Sequence, residues 1–240
     1  MSKTIAIFGY GPGLGVGTGR RFGREGFRVA VIGRDPEKAR RHAEELTAEG
    51  IEAAAFPADV TVGAQVTGVI EKIEATFGPI DAAMHGAAGN MSDRIHDTLS
   101  VDIPSLDAPI ALKLHSPILV TRALAPKMVE RGEGALLFSS GSSEHYVAPY
   151  LANFGIALAA QRGYLRQLEV ELRGTGVYVG LLNIGVLIDG SKAAQIIDEN
   201  PEVIPAGLEI VRMSGDELGD HYWRLYTERD KVELDVGFPV

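Results

Sequence analysis

The chain has 240 residues, 45% of them apolar, which suits one α/β domain with a large core. A formal net charge of −9 argues against nonspecific binding to nucleic acid or to an acidic membrane. Without cysteine there is no disulfide, thiolate nucleophile or cysteine-based metal site, and with no signal peptide and no apolar run of about 18 residues the expectation is a cytoplasmic protein that spans no membrane.

Thr4 to Phe8 reads as a buried strand. Glycines follow at Gly9, Gly11, Gly13, Gly15, Gly17 and Gly19, then a helix-length segment to about Glu25 and a second strand over Arg28 to Ile32. Strand, glycine turn, helix and strand make the first half of a dinucleotide-binding fold. One glycine makes the tight turn, one lets the backbone approach a pyrophosphate, and one lets the helix sit close to the sheet. The pyrophosphate would lie over the helix N-terminus, where unpaired amides favour negative charge. Gly17 and Gly19 fall inside the predicted helix, each at about 0.8–1 kcal/mol against Ala. They are expected where the helix packs tightly on the sheet or the cofactor.

The second strand ends in Gly33, Arg34 and Asp35. A guanidinium there can grip a 2′-phosphate, which favours NADP(H) over NAD(H). The plain alternative is an Arg34 that faces water and pairs with Asp35. Asp35 and Pro36 open a helix as N-cap and N1, running to about Glu49. Ile51 to Phe56 is the third strand. Asp59 follows, either meeting an adenine amino group or backbone amides, or simply starting the next turn. A helix over Val62 to Phe77 carries Val66, Val69, Ile70, Ile73 and Phe77 at helical spacing. A short fourth strand, Ile80 to Met84, leads into His85, Gly86, Ala87, Ala88, Gly89 and Asn90. These small residues suit a flat surface beneath a ribose or nicotinamide. His85 is equally a donor to that surface or a structural loop residue, and no ligand-spaced partner makes it a metal site.

Residues 91–106 suggest turns and a short helix. Pro104 and Pro109 bracket the start of a long helix that ends near Arg131 and is kinked by Pro117. Lys113 on this helix is expected to face solvent, although Leu112 beside it faces the core. Gly134 to Phe138 is the fifth strand, with Ser139 to Ser143 at its end, where ligands of open parallel sheets bind. Glu144, His145, Tyr146 and Tyr150 lie in the loop before a helix over Pro149 to Arg173. Gly176 to Leu182 is the sixth strand, and Asn183 and Gly185 beyond it are placed to bond a nicotinamide carboxamide. A segment around 186–213, with a short helix near Ser191 to Asn200, would cover a substrate. Ser214 starts the last helix, through about Tyr226, and Lys231 to Val236 is a seventh strand. Residues 1–240 read as one domain.

On these motifs the sequence resembles the short-chain dehydrogenase/reductase family over nearly its full length. Gly9, Gly13 and Gly15 match the family's TG-x-x-x-G-x-G pattern, with Phe8 in place of Thr. Asp59-Val60 matches its adenine-contacting pair, and His85 to Gly89 corresponds to its N-N-A-G motif. The resemblance implies an α/β, Rossmann-like, doubly wound sheet of about seven parallel strands with helices on both faces. It implies NADP(H), less favourably NAD(H), held by Gly9, Gly11, Gly13, Leu14, Gly15, Arg34, Asp59, Val60, Gly86, Ala87 and Gly185. It also implies a homodimer or homotetramer built through the helices around 108–131 and 149–173.

The family's catalytic set is Asn, Ser, Tyr and Lys. The resemblance puts Lys113 at the Asn, Ser140 or its neighbour Ser139 at the Ser, Phe154 at the Tyr and Leu158 at the Lys. No tyrosine in the chain precedes a lysine by four residues. Phe154 has no hydroxyl to transfer a proton, and Leu158 can neither lower a pKa nor bond a ribose. Three functions then compete. One is an NADP-dependent reductase of a small carbonyl, imine or activated alkene, with Ser140 on the carbonyl oxygen and the proton from Lys113, Tyr150, Tyr146, His145 or water. The second is a non-redox isomerase or lyase. The third is an NADP-binding regulatory or partner protein without turnover.

Overall fold

The computed structural model describes residues 2–88, 96–141, 151–201 and 211–238. The strands are β1 (Thr4–Phe8), β2 (Arg28–Ile32), β3 (Ala53–Ala55), β4 (Ala82–His85), β5 (Gly134–Gly141), β6 (Val177–Ile184), β7 (Leu187–Ile188), β8 (Arg212–Met213) and β9 (Glu233–Val236). The helices are α1 (Leu14–Arg24), α2 (Pro36–Ala48), α3 (Gly63–Phe77), α4 (Ile103–Ile110), α5 (Ser116–Arg131), α6 (Ala152–Leu172), α7 (Lys192–Glu199) and α8 (Gly215–Glu228).

Seven strands form one parallel sheet in the order β3-β2-β1-β4-β5-β6-β9. The order reverses beside β1, the switch point where such sheets open a crevice at their carboxyl ends. Side chains alternate across the sheet, so Ile5, Ile7, Met84, Leu137 and Leu182 meet α1, α2 and α8. Ala6, Phe8, Ala83, Phe138 and Leu181 meet α3, α5 and α6 on the other face. Asp35 caps α2 by accepting from the amides of Glu37 and Lys38, with Pro36 in the first turn. Ser214 and Glu217 form a capping box on α8.

Several expectations are corrected. β5 runs on to Gly141 and β6 to Ile184, so Ser139, Ser140 and Asn183 sit within the ladder rather than beyond it. β4 reaches His85, which is a buried strand residue and not a loop residue. β3 spans only Ala53–Ala55. The long helix is broken by a π turn over Ala111–His115, closed by the Ser116 amide donating to the Ala111 carbonyl. Pro117 explains the break. It has no N–H, and its ring would clash with the carbonyl four residues earlier, so the chain widens there by one residue. A small parallel sheet, β7 with β8, was not expected.

Gly17 packs on neither the sheet nor a cofactor surface. A methyl group there would overlap the Gly215 carbonyl of α8, and one on Gly219 would come within 2.5 Å of the Gly17 carbonyl oxygen. α1 and α8 therefore cross in backbone contact at paired glycines. Gly19 instead makes room for the Tyr10 ring, whose hydroxyl oxygen lies 3.0 Å from where a methyl would sit.

Candidate active site

The turn between β1 and α1 is built from glycines that the protein's own packing demands, with one exception. Gly9 and Gly13 have φ of +83° and +86°, a left-handed region that side chains disfavour. A methyl on Gly9 would strike the backbone of Ala87, which is itself buried. On Gly13 it would lie 2.8 Å from Cγ2 of Ile188, and on Gly15 3.0 Å from Cα of Tyr10. Gly11 differs: nothing lies within 4 Å of its missing methyl, and its φ is outside the left-handed region. It is the glycine of this turn that leaves space for something other than protein. No side chain caps the N-terminus of α1, and the Val16 amide donates to the Gly11 carbonyl, leaving the Leu14 and Gly15 amides without a side-chain cap. Leu14 is buried against the core, and Gly86 stands over Met84 with Leu14 close by.

At the end of β2, Arg34 is exposed and makes no hydrogen bond or ion pair with a described residue. Asp35 does not pair with it, because its carboxylate is held by the α2 cap and by Lys38. Asp59 accepts from both the hydroxyl and the amide of Thr61. The Thr61 hydroxyl, with its amide and the nearby Arg34 charge, holds the Asp59 carboxyl below the usual carboxylate range. Asp59 is thus a turn-former with its second carboxylate oxygen still available, and Val60 lies in the core.

The carboxyl ends of β4, β5 and β6 carry the remaining polar groups. Ser140 stands opposite Asn183 in the β5–β6 register, and Phe138 opposite His85 in β4–β5. By alternation Ser140 faces the α5–α6 side, while Ser139 faces α8, where Tyr222 bonds the Phe138 carbonyl at 3.0 Å. The Ser140 hydroxyl is buried and has no partner. His85 Nε2 lies 2.7 Å from the Ser116 hydroxyl, and Nδ1 is buried without a partner. Burial, reinforced by the Lys113 charge, pulls the imidazole down to about 3, so it is neutral.

Lys113 sits in the middle of the π turn, which packs against α4, α5 and α6. The solvent-facing expectation does not hold: Lys113 is half-buried, and it has no hydrogen-bond or salt-bridge partner among the described residues. Burial alone pulls its ammonium down to about 8. Gly185 and Asn183 are already engaged, the Gly185 amide with the Val236 carbonyl and the Asn183 side-chain amide with Asp235 at 2.7 Å. Tyr146, Tyr150 and His145 lie outside the described residues, as do Gly89 and residues 202–210 of the covering segment.

Residues 3–199 match the short chain dehydrogenase family model. The chain belongs to the short-chain dehydrogenase family. Among its relatives is 2-(S)-hydroxypropyl-CoM dehydrogenase 3 of Xanthobacter autotrophicus, 29% identical over 204 residues, which cover 84% of this chain and 79% of the relative. A metagenomic short-chain oxidoreductase solved in complex with NADP superposes with a TM-score of 0.79 at 23% identity, covering 98% of this chain and 97% of that one. An actinorhodin polyketide ketoreductase variant solved with NADPH gives 0.86 at 20% identity, covering 98% and 95%. The two structural likenesses are likenesses of fold.

Within this short-chain dehydrogenase fold, Phe154 is half-buried in the first turn of α6 and Leu158 is buried one turn later. The Leu158 side chain reaches to 3.4 Å from the methyl position of Gly141, immediately after Ser140. Two polar residues here were missed from sequence. Ser116 is fully buried against His85. Gln161 is fully buried on α6, and neither of its amide atoms has a partner. The signal for Gln161 was present: it interrupts an apolar stripe of Ala157, Leu158, Leu165 and Leu168.

Proposed function

We propose that the protein is an NADP-linked oxidoreductase that reduces a small polarised carbonyl, imine or activated alkene with Lys113 and Ser140 as its polar catalytic groups. The observation that carries this is Lys113, a half-buried ammonium without a partner among the described residues, whose charge is felt at His85 at the carboxyl end of β4. The turn fits a dinucleotide. Gly11 leaves open space, no side chain caps α1, and Arg34 has no partner among the described residues where an adenosine 2′-phosphate would lie. When bound, NADP supplies hydride chemistry that the chain's side chains lack.

The residues do the rest. The Ser140 hydroxyl donates to the substrate oxygen and orients it. The Lys113 ammonium lies in a low-dielectric setting, where it stabilises negative charge on that oxygen far better than in water. With its pKa drawn down to about 8 it also gives up its proton more readily near neutral pH. His85, neutral and tied to Ser116, adds no second positive charge and keeps the floor of the site rigid. Phe154 and Leu158 exclude water where the family places its tyrosine and lysine.

That apolar floor also supports a rival reading, a dinucleotide-binding chain without turnover. Following NADPH oxidation against activated carbonyls, imines and alkenes decides between them. Turnover lost on Ser140→Ala and Lys113→Met supports the oxidoreductase. NADPH binding with no turnover on any class refutes it. We further propose a homodimer or homotetramer through α5 and α6, which expose Val129, Ile156 and Val170. A monomeric mass at micromolar concentration would refute that.

A further inference from the structure

Among the described residues Lys113 is a cation without a counter-ion. The charged groups on the described elements packed around it are exposed or engaged elsewhere: Arg122, Lys127, Glu130 and Arg131 on α5 and Arg166 and Glu171 on α6 are exposed, and Glu169 pairs with Arg173. Asp107 on α4 is exposed and unpaired with it, and His115 at the end of the π turn is exposed. Arg162 on α6 is bound to Glu233 at 2.6 Å. His85 on β4 is neutral and bonded to Ser116. No carboxylate of a described residue offsets the loss of hydration at Lys113, and burial lowers its pKa. At pH 7 a group with a pKa of about 8 is still about nine-tenths protonated, so the ammonium persists uncompensated.

The neighbouring polar groups are of the same character. The Ser140 hydroxyl is buried without a partner on the face that α6 covers. Gln161 lies one turn beyond Leu158 on the sheet-facing stripe of α6, which runs antiparallel to β5, and so approaches the level of Ser140. Its amide also has no partner. The described part of the site therefore offers an ammonium, a hydroxyl and an amide, and no negative charge. An enclosed charge is costly unless paired, and the pairing is strongest where water is excluded.

We infer that the substrate is an anion, carrying a carboxylate next to the reacting carbon, as in a 2-oxo acid, and that Lys113 is its counter-ion. One carboxylate oxygen takes the ammonium, and the adjacent carbonyl oxygen lies within reach of the Ser140 hydroxyl. A neutral ketone or ester of the same shape leaves the charge unpaired and is disfavoured. The inference takes the position of the site from the oxidoreductase reading but does not depend on hydride transfer.

The test uses the full chain saturated with NADP+ or NADPH and two isosteric pairs, pyruvate with methyl pyruvate and benzoylformate with methyl benzoylformate. Binding is measured by calorimetry on the NADP+ form, and turnover by NADPH oxidation. The acid of at least one pair is expected to bind at least 10-fold tighter than its ester. Lys113→Met is expected to abolish that preference, and Lys113→Arg to retain it. Equal binding of acid and ester, a preference that survives Lys113→Met, or no binding of either acid at millimolar concentration overturns the inference. The two proposals fail separately. Acid binding without NADPH oxidation leaves the anion site standing and removes the reductase, whereas oxidation with esters as good as acids does the reverse.

Discussion

Gly11→Ala and Gly17→Ala, six residues apart in the same glycine run, should fail in opposite ways. At Gly17 the new methyl would fall well inside 3.0 Å of the Gly215 carbonyl, and backbone cannot swing aside as a side chain can. α1 and α8 must part by on the order of 1 Å, which forfeits a quarter to a half of each dispersion contact along the crossing. Overpacking of this kind costs about 3 kcal/mol or more. The better helix propensity of Ala returns about 1 kcal/mol. The net loss of about 2 kcal/mol lowers Tm by roughly 4–8 °C for a chain of this size. At Gly11 the methyl meets nothing within 4 Å and the backbone is compatible with Ala. Its stability should hold or rise by about 0.4–1 kcal/mol through the unfolded state. Its NADPH affinity should fall by about 10-fold or more, because the methyl occupies the space left for the pyrophosphate. Thermal unfolding by circular dichroism and NADPH fluorescence titration read the two effects. An unchanged Tm in Gly17→Ala refutes the close helix crossing. Unchanged NADPH affinity in Gly11→Ala refutes the cofactor placement.

Arg34→Ala should weaken NADPH binding by about 10- to 100-fold, the worth of charge-assisted hydrogen bonds at about 1.5–3 kcal/mol, and leave NADH binding within about 2-fold. Equal losses for both cofactors would contradict a role at the 2′-phosphate. His85 gives a pH signature. Its folded pKa of about 3 lies below its unfolded value, so between the two the unfolded chain binds more protons and stability rises with pH. The contribution is fully present above about pH 6.5 and is lost progressively as pH falls towards 3. His85→Gln, neutral throughout, should flatten that part of the stability profile in urea titrations at stepped pH, and a profile as steep as the parent's would remove His85 as its source.

The sheet is legible in the sequence because each parallel strand is a short apolar run closed by glycine or a turn residue. The carboxyl ends of those strands are less legible. Ser139, Ser140 and Asn183 break the apolar pattern yet stay in the ladder, where backbone bonding does not depend on side-chain polarity. Gly17 was misassigned because a phosphate-binding turn and a helix-crossing site draw on the same residue type. The discriminating cue was the repeat of its spacing far along the chain, Gly13 and Gly17 against Gly215 and Gly219. Lys113 was the hardest to place. A regular helix assigns its direction by counting at about 100° per residue, and the π turn inserts one residue ahead of Pro117 that resets the count. Its inward turn follows from a backbone detail that hydrophobic periodicity cannot carry.

The resemblance sets apolar Phe154 and Leu158 at the family's tyrosine and lysine positions and Lys113 at its asparagine, and electrostatics would tie those placements together. The π turn holding Lys113 packs on α6, the helix that carries Phe154 and Leu158. A lysine at 158 would set a second buried ammonium near the first, and like charges in an enclosed site repel strongly. On this reasoning the site would hold one cation, the Lys113 ammonium of the π turn. Introducing a tyrosine and a lysine at positions 154 and 158 tests this. Phe154→Tyr with Leu158→Lys should lower Tm sharply in the parent chain. The same pair combined with Lys113→Asn should be markedly less destabilised, with a coupling energy of about 1–3 kcal/mol in a double-mutant cycle. Purely additive effects on Tm would mean that the two positions do not sense each other.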